Sequence, residues 1–189
     1  MATYLWKICN FAFAMKKIGI LSDTHSYWDD RYGQHFADCD EIWHAGDIGC
    51  EELIDRLEQV CPVVRAVYGN VDGAPLRRRF KELEMFTVEG VKVVMTHIGG
   101  YPGKYAPGLR SRLQLWQPQL LVCGHSHILK VMSDRSLGVL VVNPGAAGRQ
   151  GWQTVRTLMT VTLDDGRVTH AQVIELADDK HHPQGVQLG

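Results

Sequence analysis

The chain has 189 residues, 45% of them hydrophobic and 22% charged, and its formal net charge is −1. This length and mixture are typical of one soluble globular domain. The near-neutral charge argues against a dedicated nucleic-acid binder, which would carry a strongly basic field, so nucleic acid is not an expected partner. No apolar stretch in the sequence approaches the length needed to cross a membrane, so a membrane is not an expected partner either.

The ends of the chain differ in character from the part between them. Residues 1–14 are interrupted by polar side chains and lack the pattern of a signal peptide, so we interpret them as an N-terminal extension. The polar segment 178–189 contains Gly and Pro and predicts a flexible C-terminal tail. This leaves one domain at 15–177. The five cysteines are odd in number and form no C-x-x-C pair, which favours reduced thiols and a cytoplasmic location.

Short apolar runs alternate with helical patterns through the first two thirds of the domain. Strands are predicted at 18–21, 41–45, 63–68, 91–95 and 120–123, and helices at 51–60 and 109–116. The last third is rich in strand patterns, at 129–132, 137–142, 158–163 and 168–176. These patterns predict an α/β domain in which a second sheet packs on the first. The basic run at 77–79 is interpreted as a solvated loop.

Metal-ligating side chains follow each of the five early strands. In chain order they are Asp23 and His25, Asp47, Asn70, His97, and the pair His125 and His127. Ligands of α/β sheets bind beyond the carboxyl ends of the strands, so we expect these side chains to converge. Carboxylate, imidazole and amide groups suit Mn²⁺, Fe or Zn²⁺ better than a soft ion. Asp47 can bridge two ions about 3.5–4 Å apart.

Two local patterns accompany these ligands. In the segments 23–25 and 125–127 the two ligands are one residue apart, and in extended backbone such side chains point the same way. A glycine, namely Gly46, Gly69 or Gly124, directly precedes three of the ligand positions. We expect the chain to turn sharply there, with φ values that glycine adopts at little cost.

The ordered set D-x-H, G-D, G-N, H and G-H-x-H resembles the calcineurin-like metallophosphoesterases, and within them the small single-domain bacterial and archaeal phosphodiesterases. The resemblance extends from Met15 to Leu176 and includes a loop at 143–146. It implies two β-sheets packed as a sandwich flanked by helices. It also implies two metal sites that share one carboxylate. Asp23, His25 and His127 would hold one ion, Asn70, His97 and His125 the other, and Asp47 would bridge them.

The resemblance implies a reaction as well. A metal-bound hydroxide would attack phosphorus in line, and we assign catalytic roles to Asp47, Asn70 and His97. Mn²⁺ is favoured for the two divalent ions, with Zn²⁺, Fe or Ni²⁺ as alternatives. Many family members carry a His directly after the Asn as a proton donor, but this chain has Val71. Valine cannot transfer a proton, which favours a small-molecule phosphodiester over a monoester as substrate.

Several alternatives stay open at this point. The same fold resembles a retromer subunit that serves as a protein-binding scaffold, although all seven positions here hold competent ligands. A DNA-processing nuclease of the superfamily would need capping elements and a basic surface, and neither is visible. His44 either supports the site through a hydrogen bond or is an ordinary core residue, and Asp72 has a supporting role in the site or the fold. A homo-oligomer is a further possible arrangement.

Overall fold

The computed structural model describes residues 15–177 and 185–188. Four helices occur in this part of the chain: α1 (Arg31–Phe36), α2 (Glu51–Val60), α3 (Ala74–Arg79) and α4 (Leu109–Trp116). The strands of its first half are β1 (Lys16–Leu21), β2 (Tyr27–Asp29), β3 (Glu41–His44), β4 (Val64–Ala66), β5 (Leu83–Val88) and β6 (Val91–Thr96). Those of its second half are β7 (Gly100–Tyr101), β8 (Lys104–Tyr105), β9 (Leu120–Val122), β10 (Lys130–Asp134), β11 (Val139–Asn143), β12 (Arg156–Asp164), β13 (Arg167–Leu176) and β14 (Gly185–Gln187).

Two five-stranded sheets form the centre of the molecule. The first has the order β13-β12-β1-β3-β4, and the second has the order β10-β11-β9-β6-β5. Strands β1, β3 and β4 run parallel to one another, as do β6, β9 and β11. Strands β12 and β13 of the first sheet, and β5 and β10 of the second, pair antiparallel with their neighbours. The parallel strands of each sheet therefore end at a common edge.

The two sheets pack face to face, with helices covering the outer faces. The inner layer is apolar and includes Ile20 and Trp43 from the first sheet and Met95 and Val122 from the second, all with no exposed surface. Helices α1 and α2 pack on the outer face of the first sheet, where Leu57 is buried, and α4 packs on the second. Burying a side chain of this size stabilises the fold by about 1.5–3 kcal/mol. The predicted sandwich of two sheets flanked by helices is confirmed.

The apolar runs located the strands that build this core, but other elements were missed. Helices α1 and α3 and strand β5 have no counterpart among the predicted elements. The expectation that 77–79 form a solvated loop is wrong, because these residues complete α3. There Arg79 forms ion pairs with Asp55 and Glu58 of α2 at 2.7 and 2.8 Å.

The two predicted end segments lie wholly or partly outside the described residues. The structure describes nothing of the N-terminal extension at 1–14, and of the predicted tail it leaves out 178–184 and 189. The expected flexible tail does not include 185–187, which form β14 and pair antiparallel with β2. Leu188 follows this strand and is only 7% exposed. No helix within 15–177 or 185–188 is long and apolar enough to cross a membrane.

Candidate metal centre

The seven predicted ligands meet at the shared edge of the two sheets. The loops after β1, β3, β4, β6 and β9 supply them, so the convergence expected from the strand pattern occurs. Their ligand atoms form two groups. Asp23, His25 and His127 make up group one, and Asp47, His97 and His125 make up group two. Asn70 joins group two through its Oδ1, which lies 3.1 Å from His97 Nε2.

Group one is compact and largely buried. The Nε2 atom of His127 lies 3.1 Å from Asp23 Oδ1 and 3.3 Å from His25 Nε2. Asp23 has no exposed surface, and its Oδ1 accepts no hydrogen bond from the described residues. A buried carboxylate oxygen without a hydrogen bond is costly, which points to a cation as its missing partner.

Group two adjoins group one and opens to solvent. His97 Nε2 lies 3.2 Å from Asp47 Oδ2 and 4.0 Å from Asp23 Oδ1 of the neighbouring group. His97 and Asp47 are buried, whereas Asn70 and His125 are exposed. Group two is therefore accessible from solvent through Asn70 and His125.

The hydrogen bonds of two histidines direct a lone pair into each group. His97 Nδ1 is 2.8 Å from the Ala45 carbonyl oxygen, which can only accept, so Nδ1 carries the proton. The Gln153 amide oxygen is also an acceptor and lies 3.1 Å from His127 Nδ1, so this Nδ1 carries the ring proton as well. In each neutral ring, Nε2 then presents a lone pair to carboxylate oxygens that are also acceptors. A divalent cation would replace this repulsion with attraction, so the residues fit metal ions.

Charge in the site changes the pKa of these groups. Burial alone would lower the pKa of His97, but the Asp47 contact and the Asp23 charge raise it above its ordinary value. The Asp23 contact likewise raises the pKa of His127 against the effect of burial. Burial works to raise the pKa of Asp47, yet the contact with His97, which donates from Nε2 when its ring is protonated, and the bond from the Val71 N–H lower it overall. In both ligand groups, the carboxylates therefore favour a positive charge located between them and the imidazole rings.

The backbone at the ligands is strained, and this overturns the expectation of extended backbone at 23–25 and 125–127. Five of the seven ligands have φ in the left-handed region. They are Asp23 (56°), His25 (48°), Asp47 (52°), His125 (69°) and His127 (56°). Side chains two apart therefore do not simply share a direction: His125 belongs to group two and His127 to group one. Left-handed residues other than glycine are uncommon and cluster at functional sites.

The three glycines before ligands have two different roles. Gly46 has φ +93, so the predicted need for glycine's conformational freedom holds there. Gly69 and Gly124 do not have positive φ, and for them that prediction is wrong. They are needed for close approach instead: a Cβ would overlap Asp47 Oδ1 at Gly69 and the Ser22 hydroxyl at Gly124.

His44 is both a core residue and a support for the site. It is fully buried, and its Nδ1 accepts a hydrogen bond from the Gly46 N–H at 3.2 Å. Its Nε2 must then carry the proton and donate to Thr24 Oγ1 at 2.9 Å, while that hydroxyl donates to the Ile48 carbonyl. Burial lowers the pKa of His44 to about 4, so the ring stays neutral near pH 7. His44 connects the loops that carry Asp23 and Asp47.

Three further residues hold the ligand loops. The Asp72 carboxylate accepts hydrogen bonds from the Gly49 and Gly69 N–H groups at 2.8 and 2.7 Å, which gives the predicted supporting role a geometry. Asn143 donates to the Gly124 carbonyl at 2.7 Å, and Gln153 contacts His127. Gln153 was missed because no strand end or motif marks it. Asn143 could have been found from the sequence, because it is the first residue of the loop at 143–146.

Two adjoining groups of carboxylates and imidazoles at the edge of a flanked β-sandwich are an arrangement typical of two-metal hydrolases. Within this class the chain belongs to the calcineurin-like phosphoesterase superfamily, whose domain model matches residues 15–166. A probable metallophosphoesterase of Methanocaldococcus jannaschii is 32% identical over 140 residues, which span 68% of this chain and 67% of the relative.

Solved structures with the same fold include two proteins of different description. A structure described as that of a novel archaeal phosphodiesterase has a TM-score of 0.66 and 23% identity, covering 85% of this chain and 99% of that one. Vacuolar Protein Sorting 29 from Cryptosporidium parvum has a TM-score of 0.65 and 19% identity, covering 87% of this chain and 99% of that one. At these identities the likenesses establish the fold alone.

Proposed function

We propose that this protein is a two-metal phosphodiesterase that hydrolyses a small phosphodiester. The observation that carries the proposal is the pair of adjoining ligand groups, in which His97 Nε2 and Asp23 Oδ1 are 4.0 Å apart. Asn70 and His125 are exposed, so a dissolved phosphoester could reach group two. The family to which the chain belongs supports phosphoester hydrolysis as the reaction class.

Each ligand has a role in this proposal. Asp23, His25 and His127 would hold one ion, Asn70, His97 and His125 would hold the other, and Asp47 would contact both. When bound, the two ions would activate water, orient the phosphate oxygens and neutralise charge that develops in the transition state. Mn²⁺ is our first choice, because hard carboxylate and amide oxygens accompany the imidazoles, and Zn²⁺, Fe and Ni²⁺ are the alternatives.

The chain's own residues determine what else the site can do. Asp47 is oriented by the Val71 N–H, which donates to Oδ1 at 3.0 Å and leaves Oδ2 directed at His97. Asn70 contributes a neutral oxygen and so limits the negative charge that a phosphate meets. Val71 is 57% exposed beside Asn70 and offers no proton for a leaving group. Diesters with acidic leaving alcohols depend least on such a proton, which favours them as substrates.

Hydrolysis by the metal-loaded protein tests the proposal. The metal-free chain would be loaded in turn with Mn²⁺, Zn²⁺, Ni²⁺ or Mg²⁺ and assayed on bis(p-nitrophenyl) phosphate, p-nitrophenyl phosphate and cyclic nucleotides. We expect metal-dependent turnover with a preference for diesters. Asp47→Asn and His97→Ala should reduce turnover by about a hundredfold or more, because the first removes the negative charge shared by the two groups and the second removes a ligand of group two.

His170→Ala is the matched control for His97→Ala, because His170 is exposed on β13 outside both ligand groups. It should retain full turnover. A wild-type protein that binds metal but hydrolyses none of these esters would instead favour the protein-binding scaffold. Full activity of Asp47→Asn would rule out the proposed site.

A further inference from the structure

A guanidinium group from α3 holds the loop that carries Asn70. The Nε atom of Arg77 donates to the Asp72 carbonyl oxygen at 2.6 Å. Its Nη2 donates to the carbonyl oxygens of Gly69 and Asn70, both at 3.1 Å. One side chain therefore binds three carbonyl groups within the four-residue loop 69–72.

The shape of the guanidinium suits this contact. Its donors lie in one plane in a fixed fork, so they fix the orientation of the carbonyls as well as their position. The Arg77 guanidinium carbon also lies 4.5 Å from the ring centroid of Tyr68, directly before the loop. A lysine at this position would present a single point charge and could not reproduce the three bonds.

The same loop is also bound to the Asp47 segment. The Asp72 carboxylate accepts hydrogen bonds from the N–H groups of Gly49 and Gly69, and the Val71 N–H donates to Asp47 Oδ1 at 3.0 Å. These bonds use N–H groups and a carboxylate, whereas Arg77 binds the carbonyl groups of the loop. Asn70 is itself exposed, so packing alone does not fix its side chain.

We infer that Arg77 is a positioning residue that holds Asn70 in place as a ligand of the group-two metal ion and thereby sets the affinity of that ion. This inference rests on the proposed function. Arg77 acts through the carbonyls of loop 69–72, and its hydrogen bonds go to none of the ligand atoms of group one. Asp47, which would contact both ions, lies in the separate loop after β3, so the effect of removing Arg77 should fall mainly on the ion that Asn70 holds.

The neighbouring arginine provides a matched control. Arg78 is exposed in the same helix, and its side chain has no hydrogen bond or ion pair with any described residue. Arg77→Ala and Arg78→Ala make the same change in charge and size one position apart. A general effect of positive charge near the site would appear in both variants, whereas loss of the loop contact would appear only in the first.

Calorimetric titration of the metal-free chain with Mn²⁺ tests the inference. In Arg77→Ala the affinity for one ion should fall about tenfold to a hundredfold, the range seen when a residue supporting a metal ligand is removed. The other ion should bind within about twofold of wild type, and Arg78→Ala should leave both unchanged. Arg77→Lys should lie between Arg77→Ala and wild type and provides the test if the alanine variant folds poorly.

Rescue separates positioning from a purely structural role. Millimolar ethylguanidinium should restore part of the lost affinity in Arg77→Ala and have no effect on Arg78→Ala. Equal weakening of both ions, equal effects in both alanine variants, or fewer than two ions bound by wild type would overturn the inference. If two ions bind with the predicted selectivity but no ester is hydrolysed, the proposed function fails while the role of Arg77 stands.

Discussion

At the scale of single residues, the ligands adopt backbone conformations that their side chains disfavour. Asp23, His25, Asp47, His125 and His127 all have positive φ. Each left-handed residue other than glycine costs roughly 1–2 kcal/mol. His44 and Asp72 accept hydrogen bonds from backbone N–H groups of the loops, and Asn143 donates one to a loop carbonyl, which holds the loops in this state. The strain therefore persists because the surroundings of the ligands are fixed on several sides.

Gly69→Ala tests how tightly the loops approach one another. The added Cβ would overlap the side chain and backbone nitrogen of Asp47. We expect a loss of about 2 kcal/mol in the free energy of unfolding, as in other overpacked sites, together with weaker Mn²⁺ binding. Urea denaturation and metal titration measure the two effects.

Gly73→Ala is the matched control four residues away. Its φ is −78°, and the nearest atom to an added Cβ is Pro75 Cδ at 3.7 Å, an ordinary contact. Its stability should change by less than about 1 kcal/mol, because the gain from a stiffer unfolded chain is opposed by the loss of glycine at the N-cap of α3. Equal stability of the two variants would mean that the Asp47 loop can move aside and that close approach is not required.

Val71→His tests whether a missing proton donor sets the substrate preference. Val71 is 57% exposed, so an imidazole can replace it without disturbing the core. We expect turnover of monoesters with poor leaving groups to rise at least about tenfold relative to diesters, since general acids contribute on this scale or more. Val71→Asn is polar but cannot donate in this way, and it should show no such gain. A similar increase in both variants would contradict the explanation.

At the scale of elements, the C-terminal strand β14 lies against the loop that carries His25. Gln187 Nε2 donates to the His25 carbonyl at 2.8 Å, and the Leu188 N–H donates to the Ser26 carbonyl at 2.7 Å. These bonds cover a segment in which His25 and Ser26 both have positive φ. The strand thus supports group one from outside the two main sheets.

Leu188→Ala tests whether this strand is docked. Leu188 is 7% exposed, so truncation should reduce the free energy of unfolding by about 2 kcal/mol, at the lower end for buried leucines. Val186→Ala is the control. Val186 is 49% exposed, so its truncation should lower the free energy of unfolding by less than about 0.5 kcal/mol. If Leu188→Ala is as stable as wild type in urea, β14 does not contribute to the fold.

Elements with continuous apolar runs could be predicted from the sequence, and those that depend on distant partners could not. Strands β1, β3, β6 and β9 are largely buried and carry such runs. Strand β5 is an edge strand with the exposed Met85, so its pattern is interrupted. Strand β14 has three residues and forms only by pairing with β2, far away in sequence.

At the scale of the whole molecule, the sandwich places five strand ends at one edge. The seven proposed ligands were predicted from the strand-end pattern, and this topology brings them together. Their backbone conformations do not follow, because no periodicity encodes a left-handed residue. Nor could the contacts of Arg77 and Gln153 be predicted, since both depend on loops that meet only in the folded chain.

The number of metal ions bound per chain tests the central claim most directly. Metal-free protein equilibrated with Mn²⁺, freed of excess ion by dialysis and analysed by plasma mass spectrometry gives this number without any assumption about the substrate. The two adjoining ligand groups predict two ions per chain. If the chain binds one ion or none when equilibrated with Mn²⁺, and the same is found with Zn²⁺, the result would contradict a two-metal centre.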